Sequence, residues 1–167
     1  MFRRSFRSIG NRKTTSRLDD LAGTFSLHNT QLYVGSVRVE DGTMSKALSL
    51  LTNVFDGESG MGDVVIYLFS KGDAIRLVQF LDAILNRDLP AEFRFPPSAT
   101  KLLVGDAQIK WTVKKFIPKW HDGGGFKGRL NYRGGHTITK LSAERLRACV
   151  VDFFGLDERD AGVTDAT

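Results

Sequence analysis

The sequence predicts a single α+β domain, an antiparallel or mixed sheet with about three helices packed on it. Three observations carry that expectation. Residues 108–133 contain two runs of alternating apolar and polar positions around a glycine-rich connection. Val64–Phe69 is a continuous apolar run of strand length. Three further segments, beginning near Met44, Asp73 and Ser142, space their apolar residues as amphipathic helices do. The 167 residues suffice for one proper core and are too few to expect two. The expected layout is a disordered basic arm over residues 1–20, the domain over 21–156 and an acidic disordered tail over 157–167.

Taken in order, Met1–Leu18 holds Arg3, Arg4, Arg7, Arg12, Lys13 and Arg17 among serines and threonines, without one acid. So little apolar surface cannot support folding alone. The same composition describes a mitochondrial transit peptide. It equally describes a retained arm reaching nucleic acid or an anionic leaflet, where clustered cations contribute about 1 kcal/mol each. Gln31–Val39 reads as a strand closed by Asp41-Gly42. Met44, Ala47, Leu48, Leu51, Val54 and Phe55 then fall at helical spacing, with Asp41 or Thr43 as cap. Residues 56–63 are a loop by composition, and Val64–Phe69 is the candidate central strand. Asp73 caps a second helix whose broad apolar face includes Leu77, Val78, Leu81 and Ile84. From Glu92 to Thr100 the chain is expected to be extended, because Pro96-Pro97 disfavours helix before it. Lys101–Val104 is a short strand. Ser142 caps a third helix, with Ala143, Leu146, Val150 and Phe153 on one side and Gly155 as terminator. No internal repeat is visible in the residues.

The two alternating runs form the expected functional element. In the first, Ile109, Trp111, Val113 and Phe116 alternate with Lys110, Lys114 and Lys115; in the second, Phe126, Gly128, Leu130 and Tyr132 alternate with Lys127, Arg129 and Arg133. A period of two sends alternate side chains to opposite faces, so the pair reads as a hairpin that is apolar on one side and cationic on the other. Its connection adds Lys119, Trp120 and His121 before three glycines. The bland alternative is a strand pair whose lysines merely discourage edge pairing. Charge segregation favours function: residues 101–147 hold eleven basic and three acidic residues, and residues 1–18 six basic and none acidic. Everything else holds seven basic against sixteen acidic, and blocks of this kind create a directional field suited to polyanions.

The residues give no support for catalysis, cofactor or metal. Gly123, Gly125 and Gly128 match a dinucleotide-binding spacing but precede a strand where a helix is needed. Gly57–Met61 lacks the last glycine of a nucleophile elbow. His28, His121 and His136 have no Cys or second His at ligand spacing. Cys149 cannot form an internal disulfide and reads as a small buried thiol.

The order of basic arm, strand, helix, strand, basic ribbon and closing helix resembles the matrix proteins of rhabdoviruses, above all the short basic ones of plant-infecting members. The likeness lies in Tyr33–Phe55, in Val64-Val65-Ile66-Tyr67-Leu68-Phe69, and in Phe126-Lys127-Gly128-Arg129-Leu130 leading to Val151-Asp152-Phe153-Phe154. It implies a non-enzymatic virion protein that self-associates and bridges viral nucleocapsid and an anionic membrane surface. There is no Pro-Pro-x-Tyr budding motif; Pro96-Pro97-Ser98 only approaches one. The expected binding residues are Arg3, Arg4, Arg7, Lys110, Lys114, Lys115, Lys119, Trp120, Lys127, Arg129 and Arg133, with Phe116 beside Trp120 as a stacking or insertion group. The alternative expectation is a viral or mitochondrial single-stranded nucleic-acid-binding module that stacks bases on Trp120, Tyr132 and Phe126.

Overall fold

The structure is a computed structural model that describes residues 16–27, 30–52, 64–97, 109–117, 125–130 and 135–157. Eight strands and two helices occur among them. Strands β1 (Asp20–Leu27), β2 (Thr30–Arg38), β3 (Met44–Thr52) and β4 (Val64–Leu68) form one antiparallel sheet in the order β1-β2-β3-β4. Helix α1 (Lys71–Leu85) follows. Strands β5 (Ala91–Arg94), β6 (Lys110–Ile117), β7 (Gly125–Leu130) and β8 (Gly135–Thr139) form a second sheet, again in sequence order, and α2 (Lys140–Phe153) follows it. The α+β class stands, with two described helices instead of three. Although the residues show no repeat, the strands and helices named here follow the same order in both halves: four strands, then a helix.

The missing helix is β3. Its residues pair with β2 from Thr30↔Thr52 to Arg38↔Met44. Leu48 and Leu50 face the main core while Ala47 and Ser49 are buried on the other side. An interior strand covered on both faces loses the polar half of its alternation, and the remaining apolar positions then mimic a helical stripe. Asp41, expected as a helix cap, instead closes the β2–β3 hairpin. Its carboxylate accepts from the Thr43 backbone N–H at 2.9 Å and hydroxyl at 2.6 Å, which pulls its pKa below the ordinary value. Gly42 supplies the φ of +89° that this turn requires. The extended connection after Pro90 likewise contains a strand, β5, while the expected strand Lys101–Val104 lies outside the described residues.

One apolar cluster joins both sheets and both helices, with Leu32, Leu48, Tyr67, Leu77, Leu81, Phe93, Trp111, Phe126, Leu146 and Val150 among its buried members. A smaller one lies on the far face of the first sheet, where Leu18 packs with Tyr33, Ala47 and Ile66. Ser16 and Leu18, within the expected arm, are therefore buried, and the Ser49 hydroxyl donates to the Ser16 carbonyl at 2.6 Å. Between Leu21 and Gly23 the register of β1 shifts by a bulge, which brings the Asp20 backbone against Gly35. A Cβ on Gly35 would stand 2.0 Å from the Asp20 carbonyl oxygen, so only glycine fits.

Both helices start on a side-chain cap. In α1 the cap is Ser70, three residues before the expected Asp73: the Ser70 hydroxyl accepts from the Asp73 N–H at 3.1 Å and the Asp73 carboxylate accepts from the Ser70 N–H at 2.9 Å. Asp73 is thus the far half of a reciprocal capping box. In α2 the cap is Thr139, and Ser142 is the donor it satisfies. Ser70→Ala is expected to cost about 1 kcal/mol, read as a lower urea midpoint with unchanged slope. Arg147 on α2 grips both oxygens of Asp82 on α1, at 2.5 and 3.3 Å. Lys46 donates to the Phe153 carbonyl at 2.8 Å, placing a cation at the negative end of α2. Gly155, with φ +65°, ends that helix as expected. Cys149 is half-buried, and burial together with Asp152 raises its thiol pKa, so less of the reactive thiolate forms.

Candidate nucleic-acid interface

The predicted hairpin exists as β6 and β7, but it does not stand apart from the body. It forms the two inner strands of the second sheet, flanked by β5 and β8. Trp111 and Val113 of β6 and Phe126 of β7 are buried in the core. The opposite face of this sheet is left to the polar residues.

A bulge in β6 arranges the cations. Val113 pairs with Gly128 and Lys115 with Lys127, so β6 carries one extra residue, Lys114. Strict alternation from Trp111 and Val113 would turn Lys115 into the core. The extra residue resets the phase: Phe116 turns in to meet Phe126, ring centroids 5.5 Å apart, while Lys114 and Lys115 are both exposed. Two lysines on one strand therefore oppose one on the next. Lys127 is exposed in turn and pairs on its other side with Thr137 of β8. Among the described residues none of these three lysines has an acidic partner within ion-pair distance.

Towards the other end of the sheet, Arg129 pairs with Thr112, and Arg94 with Lys110. Glu92 pairs with Thr112 from the β5 side. Its carboxylate lies 3.3 Å from the Lys110 ammonium and 3.8 Å from the Arg94 guanidinium. By register the cationic positions thus collect on one face, with Glu92 the single acid among the described strand residues there. Arg3, Arg4, Arg7, Lys119, Trp120, Tyr132 and Arg133 lie outside the described residues.

Two aromatic assignments are corrected. Phe126 is 1% exposed and cannot stack on a base. Phe116 packs against the core and is covered by Arg87, whose guanidinium carbon is 3.9 Å from the ring centroid. Glu92, Arg94, Thr112 and Thr137 were not expected at the site. The signal for the first two was the four-residue alternation Ala91-Glu92-Phe93-Arg94, which the following prolines obscure.

Among the described residues no helix is long and apolar enough to cross a membrane, and no three His, Cys, Asp or Glu stand together as metal ligands would. Comparison with protein-family models, curated proteins and solved structures gives no match.

Proposed function

We propose that the chain is a non-enzymatic nucleic-acid-binding protein that holds single strands against the exposed face of its second sheet. The observation that carries this reading is the cross-strand meeting of Lys115 and Lys127 with Lys114 at the bulge. Like charges placed opposite each other destabilise a sheet, and a bound phosphate reverses that penalty. From Arg94/Lys110 through Thr112/Arg129 to Lys115/Lys127 the positions advance in steps of about 6.7 Å along strands about 4.8 Å apart. One narrow cationic lane suits one phosphodiester chain. Among the described residues the exposed large apolar side chains, Met44, Leu68 and Leu141, lie on β3, β4 and α2, and none lies on a strand of the second sheet. A bilayer would call for such groups among the lysines; a phosphate backbone does not.

Binding of a fluorescent oligonucleotide at increasing salt tests the proposal. Neutralising roughly three to five phosphates gives a log–log slope of roughly −2 to −3.5, at about −0.7 for each phosphate of a single strand. Absence of binding at low salt, or a slope near zero, would sink it.

The matrix-type reading is the second proposal, sharing this face and adding self-association and a bilayer contact. What favours it is a groove on the far face of the first sheet at its β2–β3 turn, where Val37, Ile66 and the exposed Leu68 lie beside Arg38, Glu40 and Asp41 and a second copy can pack. A mass that rises with concentration, together with flotation on anionic liposomes, supports it; a monomer that ignores liposomes removes it.

A further inference from the structure

Resting on the nucleic-acid reading, we infer that the groove between α1 and β5 is a nucleobase site selective for bases bearing an exocyclic amine, cytosine foremost, with Glu92 as the acceptor. A carboxylate repels phosphate, so on a phosphate-binding face its position is where a base, not the backbone, comes to lie. Lys110 and Arg94, cross-strand partners of each other, both lie within ion-pair distance of Glu92, at 3.3 and 3.8 Å, at the sheet edge. It lines a groove whose other walls include Arg76 and Gln79 of α1, with Phe80 and Phe93 below.

These groups complement a base. A Glu carboxylate accepts from the N4 amino group of cytosine. The Gln79 amide offers both a donor and an acceptor for the remaining edge. The Arg76 guanidinium lies 5.7 Å from the Phe93 ring centroid, presenting a flat cation of the kind on which unstacked bases settle. Uracil would turn a carbonyl oxygen towards Glu92, setting acceptor against acceptor. Glu92 links the groove to the lane by register, since it pairs with Thr112 and Thr112 with Arg129. A nucleotide whose phosphate sits in that row has its base within reach of the edge.

The test compares oligocytidylate with oligouridylate on the full chain by fluorescence anisotropy, for wild type, Glu92→Gln and Gln79→Ala. Wild type is expected to prefer the cytosine oligomer about tenfold, the scale of one good base contact. Glu92→Gln should bring that ratio close to one while tightening uridylate binding, since a charge repelling phosphate is gone and the amide can donate to the uracil oxygen. Gln79→Ala should lower the ratio without changing the salt slope. Both side chains are exposed, so the variants should melt as wild type does. If both oligomers bind equally to wild type, or the ratio survives both substitutions, the inference is wrong and the proposed function is untouched. If neither oligomer binds, both fall together.

Discussion

Gly35→Val is expected to destabilise the protein by about 3 kcal/mol or more, at the upper end of what overpacking does. The cause is backbone against backbone: the added Cβ falls 2.0 Å from the Asp20 carbonyl oxygen, and neither atom can move without breaking the β1–β2 ladder. Gly42→Ala is the control. Nothing lies within 4 Å of its added Cβ, so only the positive φ opposes it, at about 1–2 kcal/mol. Urea unfolding of both variants decides the matter. If Gly35→Val costs no more than Gly42→Ala, the close approach of β1 to β2 is wrong.

Lys127→Glu is expected to act in opposite directions on stability and on binding. Opposite Lys115 the new carboxylate replaces a like-charge pair with an ion pair, which stabilises a sheet by roughly 0.2–1 kcal/mol. The same change withdraws a cation from the lane and puts a repulsive charge in its place. Affinity for a single strand at low salt should fall at least tenfold, and the salt slope should flatten by about 0.7 for each phosphate no longer neutralised. A variant that melts higher and binds worse marks the pair as kept for its ligand. A variant that melts higher and binds equally well would reduce these lysines to solvated surface.

How far the residues alone disclosed this surface depended on how many faces each strand buries. The β6–β7 hairpin was legible because one side of it is core and the other solvent, which leaves alternation intact. Helix α1 was legible for the same reason at a different period, with Leu77, Val78, Leu81 and Ile84 buried and Arg76 and Gln79 exposed. Strand β3 was not, since Ala47 and Ser49 are as buried as Leu48 and Leu50. The bulge was written in the sequence only as the doublet Lys114-Lys115 within an alternating run. Such a doublet reads as a break in pattern until the partner strand shows which residue is extra. Glu92 is not legible in the sequence because the two prolines after it predict an irregular connection, while its ion pair with Lys110 joins residues eighteen positions apart.

In both sheets each strand pairs with its neighbour in sequence, so every ladder closes a short stretch of chain. Short closures forfeit little entropy, which spares each half the slow search that distant pairings impose. The two halves meet through the shared apolar core and at a seam where α1 meets α2 through Asp82 and Arg147 and β1 comes against β8. Whether this chain unfolds in one transition or two is therefore governed by that seam, more than by either sheet.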